Sequence, residues 1–336
     1  MISIICPIHN EGKHIEKCIN SILYQDYPID RIELLLVDGM STDETRKRVE
    51  VYTKKYSFIK LLNNPYKIVP YALNIGIKAS KGDIIIRIDC HCEYPTNYVS
   101  TLVNYLFALN ADNVGAVLNT LPAKGTSFCR AIAIGSSHKF GVGDSKFRVG
   151  IDEIVETDTV PFGCYRREIF DKIGFFDEEL IRNQDDEFNG RLIKNGGKIF
   201  LIPQLVVNYI ARDSLKKMSK MFFQYGLFKP LVNKKLGKPT TIRQFFPVVF
   251  VLGLFTGAIL SCFSKTLLIL YLIVLIFYMI LAVSFSIKST IKEKDWKLIF
   301  IIPTVFITIH ISYGIGYLIG IYKILFKKKI NVQINR

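Results

Sequence analysis

The chain has 336 residues, half of them apolar, and a formal net charge of +15, so it has room for a sizeable domain and a second segment. The positive charge is concentrated at 212–243 and 323–329, beside apolar segments, which suits contact with anionic lipid. The sequence has no basic strip interleaved with aromatic residues. We therefore expect membrane lipids, and no nucleic acid, as partners of the basic segments.

Residues 1–210 have the mixed charge and frequent turn residues of an α/β domain. Apolar runs of strand length alternate with stretches of helical periodicity. Strands are predicted at 2–6, 32–37, 60–63, 84–89, 114–119, 158–162 and 198–202, and helices at 15–24, 42–55, 69–79, 96–109, 167–173 and through 192–196. This alternation predicts a mostly parallel sheet flanked by helices, with the first strand cut short by Pro7. The stretch 123–150, rich in Gly, Ser and basic residues, predicts a mobile loop region.

The last third of the chain has membrane composition. We assign 211–243 to a basic linker, 244–326 to a membrane domain with spans at 245–263, 266–287 and 298–322, and 327–336 to a basic tail. Each span has about the 20 residues that cross a hydrocarbon core. The linker predicts an amphipathic helix that lies in the membrane interface or, alternatively, packs between domains. The lysines of 288–297 indicate a cytoplasmic loop. Three full crossings would then leave the lysines of 327–329 outside the cell. The third span is therefore either bent, re-entrant or an exception to the positive-inside rule.

The seven cysteines show no pairing pattern. Cys90 and Cys92 form a single C-x-C without a second pair, so a structural zinc site is not expected. Cys6, Cys18 and Cys164 lie in apolar surroundings and are predicted to be buried thiols in a reducing compartment. Met1 leads directly into a strand without a cleavable signal peptide, so we expect the N-terminal domain in the cytoplasm, anchored at the cell membrane.

Asp89 and His91 follow the apolar run that begins at Ile84. Ligands of open α/β sheets bind beyond the carboxyl ends of the strands, and strand side chains repeat every two residues. An oxygen and a nitrogen ligand placed in this way could hold a divalent cation against a phosphate-bearing substrate. The alternative is an aspartate that caps the next turn and a surface histidine.

Further carboxylates lie at or after other strand ends, at Glu11, Asp38 and 185–187. A buried sheet gains nothing from acids at one edge unless a cation or a donor-rich ligand meets them there. The sequence therefore predicts one site at this edge.

With these residues the chain resembles the inverting nucleotide-sugar glycosyltransferases of family 2, which have the GT-A fold. The similar motifs, in chain order, are Pro7-x-x-Asn10-Glu11, Val37-Asp38-Gly39-x-Ser41-Thr42-Asp43, Asn74-x-Gly76, Gly82-Asp83, Asp89-x-His91, Phe162-Gly163, Arg166-Arg167, Gly174-x-Phe176-Asp177 and Gln184-Asp185-x-Glu187-Phe188-x-x-Arg191-Leu192. The segment from Phe140 to Arg148, followed by a membrane tail, is similar to the succinoglycan-biosynthesis branch.

The resemblance implies roles for individual residues. Pro7, Asn10, Glu11 and Asn74 would bind the nucleotide-sugar donor, Asp38 would accept a hydrogen bond from the base, and Arg87 would reach the diphosphate. Asp89 and His91 would match the metal motif, usually Asp-x-Asp, and hold Mn²⁺ or Mg²⁺. Asp185 would be the general base, with Asp186 as the competing candidate. Gly163, Arg166, Glu187 and Arg191 would lie on the acceptor side.

The implied function is a membrane-anchored inverting glycosyltransferase. It would move a sugar from a nucleotide-diphosphate sugar, with a UDP-sugar favoured, to a polyprenyl-linked saccharide in bacterial cell-surface polysaccharide synthesis. The nearest alternative is an enzyme that transfers the sugar to polyprenyl monophosphate. An alternative of another class is a catalytically inactive scaffold in polysaccharide export.

Overall fold

The computed structural model describes residues 1–330; the rest of the predicted basic tail lies outside the described residues. The chain forms two compact units. The first contains Met1–Asn119 and Gly150–Tyr209, and the second contains Thr120–Val149 and residues 210–330. The segment 120–149, predicted within the catalytic domain, thus groups with the C-terminal helices.

The first unit is built on one mixed sheet. Its strands are β1 (Ile2–Ile8), β2 (Ile32–Asp38), β3 (Ile59–Asn63), β4 (Ile84–Arg87), β5 (Cys92–Glu93), β6 (Asn113–Leu121), β7 (Val155–Glu156), β8 (Cys164–Arg166) and β9 (Ile199–Ile210). Their order is β3-β2-β1-β4-β8-β6-β9-β5, with β7 beside β9. The predicted strand at 158–162 is replaced by β8, which follows it.

Strands β1 to β4 are parallel, with Ile2 opposite both Ile32 and Ile84. Both β1 and β2 are buried along their whole length, which explains their nearly continuous apolar sequences. Pro7 does not end β1, contrary to the prediction. The pairing of β1 with β4 stops at Ile5, so the N–H that proline lacks is not needed there.

Strand β8 runs antiparallel to β4, and β6 runs antiparallel to β8. The sheet is therefore parallel on one side and antiparallel on the other. Helices of this unit are α1 (Ile15–Leu23), α2 (Thr45–Lys55), α3 (Val69–Ala79), α4 (Tyr98–Ala108), α8 (Glu168–Ile173) and α9 (Gln184–Lys194).

The second unit is helical. Its helices are α5 (Ser127–Ser137), α6 (Lys139–Val142), α7 (Lys146–Val149), α10 (Leu215–Leu236), α11 (Phe246–Ser261), α12 (Lys265–Glu293) and α13 (Leu298–Leu325). The predicted loop at 123–150 is wrong, because Thr126 caps α5 by accepting from the Cys129 N–H at 3.3 Å. Gly135 of α5 also packs directly against Val305 of α13, which stabilises the helix in place.

Helix α10 packs along α13 over most of its length. Gly226 faces the backbone of α13 at Tyr313, and Gly316 faces the backbone of α10 at Phe223, so each glycine lets the two helices approach closely. Met218 and Phe228 of α10 are fully buried. Helix α10 therefore packs within the second unit, and its predicted place in the membrane interface stays a prediction.

Three helices are long and apolar enough to cross a membrane: Arg243–Ser261, Lys265–Glu293 and Leu298–Leu325. They match the three predicted spans. The third is one continuous helix with Pro303 inside it.

Candidate active site

Asp89 and His91 lie in a tight turn that follows β4. The strand ends at Arg87, two residues before the predicted end, so the two side chains do not meet by strand alternation. Instead the His91 N–H donates to Asp89 Oδ1 at 3.0 Å, and His91 Nδ1 lies 3.2 Å from the same oxygen. Tyr94 fixes the turn, because its hydroxyl accepts from the Asp89 N–H and donates to the Asp89 carbonyl.

Glu11 approaches the same turn from the loop after β1. Its Oε1 lies 3.5 Å from His91 Nδ1, and the residue is only 2 % exposed. The Glu11 N–H donates to Thr45 Oγ1 at 2.7 Å, which ties this loop to the start of α2. The His14 ring lies 5.0 Å from the His91 ring, and burial together with the neighbouring His91 lowers the pKa of His14.

These groups are of the types that bind divalent cations. Two ligands at right angles on bonds of about 2.1 Å are about 3 Å apart. The distances of His91 Nδ1 from Asp89 and Glu11, 3.2 and 3.5 Å, are close to this spacing. Two carboxylates and one imidazole suit Mn²⁺ better than Mg²⁺, which prefers oxygen. The types of ligand therefore suit such an ion, and each carboxylate lies close to His91.

Asp38 ends β2 and organises the loop that follows it. Its carboxylate is fully buried and accepts from the Ser41 N–H and hydroxyl and from Arg46 at 2.7 Å. Asn10, in a left-handed conformation with φ 55°, accepts from the Thr42 N–H at 2.8 Å. The motif residues from β1 and β2 thus hold each other at the carboxyl edge of the sheet. The predicted contact of Asp38 with a base stays a prediction.

Asp185 at the start of α9 forms a salt bridge with Arg87, the last residue of β4. Burial raises the pKa of Asp185 above its ordinary value, although the guanidinium opposes this shift. Burial alone would lower the pKa of Arg87, but the carboxylates of Asp185 and Asp89 raise it, so Arg87 stays charged. Asp185 Oδ1 and Arg87 Nε have no hydrogen-bond partner among the described residues. Buried polar groups of this kind are concentrated at functional sites.

Helix α9 is held against the sheet by a buried amide chain. Asn113 of β6 donates to Asn189 at 2.9 Å, and Asn189 donates to Thr159 at 2.8 Å. One turn before Asn189, the N-terminal end of α9 carries Asp185 and Asp186. These buried hydrogen bonds therefore help to fix the position of both candidate bases.

Glu187 and Arg191, predicted on the acceptor side, pair with each other across one turn of α9 at 2.8 Å. Arg191 also donates to the carbonyl groups of Ile173 and Phe175. Glu187 is 4 % exposed, so the pair holds the segment after α8 against α9. The acceptor-side role of these two residues stays a prediction.

Arg166, predicted on the acceptor side, lies away from Arg87. Because β8 is antiparallel to β4, Arg166 lies opposite Ile84, at the far edge of the sheet from Arg87. There it donates to the Ala111 and Leu106 carbonyls. Gly163, at the other end of β8, does reach the site edge, where its carbonyl accepts from the Arg87 N–H at 3.0 Å.

Asn74, predicted to bind the donor, makes its hydrogen bonds within the protein, and donor binding stays a prediction. The Asn74 side chain is 4 % exposed, donates to the Phe176 carbonyl and to Glu178, and accepts from the Phe176 N–H. Both of its amide atoms are thus used to tie α3 to the segment after α8.

The sequence offers no sign of Arg46 and Tyr94, because neither belongs to a spacing pattern that points to the site. The motif residue Phe162 was assigned no role from the sequence, and its ring centre lies 5.5 Å from the guanidinium of Arg87.

The sequence model of Glycosyl transferase family 2 matches residues 3–174, about half of the chain. The chain belongs to this family.

This family 2 glycosyltransferase is also similar to two curated relatives beyond the region matched by the family model. It is 28% identical over 330 residues to a Methanococcus voltae protein named dolichyl N-acetyl-alpha-D-glucosaminyl phosphate 3-beta-D-2,3-diacetamido-2,3-dideoxy-beta-D-glucuronosyltransferase, covering 96% of this chain and 97% of that one. It is 30% identical over 261 residues to succinoglycan biosynthesis protein ExoA of Rhizobium meliloti, covering 77% of each chain.

Among solved structures, the mannosyltransferase PcManGT from Pyrobaculum calidifontis, in complex with GDP-Man and Mn²⁺, has a TM-score of 0.63 at 16% identity and covers 97% of this chain and 87% of its own. At this identity the likeness concerns the fold. The predicted GT-A fold, family and glycosyltransferase class are confirmed.

Proposed function

We propose that the enzyme is a membrane-anchored inverting glycosyltransferase that moves a sugar from a nucleotide-diphosphate sugar to a polyprenyl-linked saccharide. The observation that carries this proposal is the convergence of Glu11, Asp89 and His91 at the carboxyl edge of the parallel strands, with Asp185 held by Arg87. The first three groups suit a cation and a diphosphate, and Asp185 suits a base.

The donor would lie across the ends of β1, β2 and β4. Pro7, Asn10 and Asp38 form the nucleotide side of this edge, and Asp89 and His91 form the diphosphate side. A divalent cation held by Asp89 and His91, with Glu11 beside them, would neutralise charge on the departing diphosphate. The complexes of PcManGT with GDP-Man and Mn²⁺ and of S. aureus TarS with UDP-GlcNAc support this class of donor and ion. We favour a UDP-sugar.

Asp185 would act on the acceptor. The acceptor hydroxyl oxygen bonds to the anomeric carbon while the bond from that carbon to the diphosphate oxygen breaks, and the hydroxyl proton passes to the Asp185 carboxylate. A single displacement of this kind inverts the anomeric configuration. The raised pKa of Asp185 makes it a stronger base than an exposed aspartate.

Arg87 has two roles in this scheme. Without substrate it neutralises Asp185, and its Nε has no partner among the described residues. An incoming diphosphate oxygen can accept from this nitrogen, because charge-assisted contacts of arginine with phosphate are strong. Arg87 thereby links donor binding to the position of the base.

The membrane segments and the relatives support the proposed acceptor class. The Methanococcus voltae relative, named for a saccharide on dolichyl phosphate, aligns over 96% of this chain, the spans included. We place the lysines of 288–297 and the catalytic unit in the cytoplasm of a cell whose surface glycan the enzyme extends.

The test is transfer of radiolabel from a panel of nucleotide-sugars to lipid extracts of the native membrane, with and without Mn²⁺. Cation-dependent product on a saccharide-bearing lipid supports the proposal. Product on polyprenyl monophosphate alone would indicate the alternative enzyme, and donor binding without turnover on any lipid would indicate a scaffold.

A further inference from the structure

Three cysteines from distant parts of the sequence meet beneath the Asp89–His91 turn. Cys6 comes from β1, Cys18 from α1 and Cys90 from the turn itself. Their sulfur atoms all lie within 4.8 Å of one another, and those of Cys6 and Cys90 are 3.6 Å apart. Their spacing in the sequence gives no sign of this cluster, which we call the thiol cluster.

The spacing of the thiol cluster matches a metal site. A zinc–sulfur bond is about 2.3 Å long, so three sulfurs around one ion are about 3.8–4.0 Å apart. The sulfurs of the cluster reach this separation with shifts of less than about 1 Å. Three thiolates are soft ligands that select Zn²⁺, Cd²⁺ and similar ions over Mg²⁺ and Mn²⁺.

The thiol cluster is separate in chemistry from the neighbouring carboxylates and imidazole. All three cysteines are at most 3 % exposed, and β1 and α1, which carry two of them, also bury apolar residues such as Ile4 and Ile19. Glu11, Asp89 and His91, which we call the outer site, offer oxygen and nitrogen ligands to hard cations. The thiol cluster offers sulfur alone.

We propose that Cys6, Cys18 and Cys90 form a buried site for one thiophilic divalent cation, Zn²⁺ or a related ion. Each thiol that ligates the ion exchanges its S–H bond for a sulfur–metal bond and gives its proton to the solvent. Cys90 lies between Asp89 and His91 in the same turn. An ion bound to Cys90 therefore holds this turn in place from its buried side. The ion stabilises the turn and takes no part in sugar transfer itself.

The test uses the full chain in detergent, reduced, freed of metal and titrated with Cd²⁺. We expect one Cd²⁺ per chain with an ultraviolet sulfur-to-metal charge-transfer band, and a higher temperature of thermal unfolding. Cys18→Ser should lower the apparent Cd²⁺ affinity at least about tenfold and weaken the band. Cys164→Ser is the matched control, since Cys164 is equally buried but outside the cluster.

His91→Ala separates the two sites, because it removes an outer ligand but should leave the sulfur band intact. A wild-type chain without the band would overturn the proposal, even if Cys18→Ser failed to fold. So would a band that Cys164→Ser weakens as much as Cys18→Ser. Neither outcome bears on the transferase function.

Discussion

The role of Asp185 gives the most detailed prediction. Asp185→Asn keeps the shape of the side chain and one oxygen that can accept from Arg87, but it removes the charge and the basicity. A positioned general base contributes about 10²–10⁴-fold to the rate, or about 3–5 kcal/mol of activation free energy. We expect kcat to fall by this factor.

The same substitution should also cost stability, because Arg87 is 7 % exposed and loses a charged partner. Removing one member of a buried ion pair costs about 3–5 kcal/mol. Here the Asp185 side chain is 25% exposed, and the amide oxygen still accepts a hydrogen bond, so we expect about 1–3 kcal/mol. The variant should fold and bind donor.

The assay compares single-turnover sugar transfer with donor binding by calorimetry, in wild type, Asp185→Asn and Asp186→Asn. Asp186→Asn is the matched control, because it removes the neighbouring carboxylate of the same helix turn. We expect Asp186→Asn to keep most of the rate. A rate for Asp185→Asn within tenfold of wild type, or a larger loss in Asp186→Asn, would refute the assignment of the base.

Four further measurements test other parts of the structure. Because burial raises the pKa of Asp185 and the base must be deprotonated, log kcat should fall with unit slope as pH drops through a pKa above the ordinary value of about 3.9. His91→Asp should retain Mn²⁺-dependent transfer, whereas His91→Ala should raise the Mn²⁺ concentration required at least about tenfold; equal loss in both variants would argue against ligation. Gly316→Ala should destabilise the helical unit by about 1–3 kcal/mol, measured by thermal unfolding, while Gly253→Ala, with open space around the added methyl group, should not. Cys262, the exposed cysteine among the seven, follows the first predicted span. It should react with a membrane-impermeant maleimide in intact cells. Labelling only after lysis would indicate the opposite topology.

The parallel half of the fold could be predicted from the sequence because its strands are buried on both faces. Continuous apolar runs such as Ile32 to Val37, bounded by turn residues in a segment of mixed charge, are typical of such strands. The antiparallel half could not be predicted in the same way, since β8 has three residues and its direction is set by its neighbours. This direction decides that Gly163 lies at the site and Arg166 does not.

The candidate site was predictable where a motif lies at a strand end, as at Asp38 and Asp89. The site was not predictable where a motif side chain makes its hydrogen bonds to other segments of the protein. Asn74 and the Glu187–Arg191 pair belong to the motifs, but their hydrogen bonds hold neighbouring segments together. Only the three-dimensional contacts show which motif residues make such hydrogen bonds.

The helical unit shows the same limit. Apolar composition and length predicted the three candidate spans, which are helices in the structure. The helix α5 was hidden by its glycine and serine content, because Gly135 and Ser136 are small where the helix is buried. A stretch with the composition of a loop is here a helix that packs against another helix.

The most direct test of the proposed function is the identity of the lipid that receives the sugar. Purified enzyme in lipid vesicles is given labelled nucleotide-sugar, Mn²⁺ and, in parallel, a polyprenyl-linked saccharide or free polyprenyl monophosphate. We predict cation-dependent product of inverted anomeric configuration on the saccharide-bearing lipid alone. Product on the free monophosphate, or a product of retained configuration, would contradict the account.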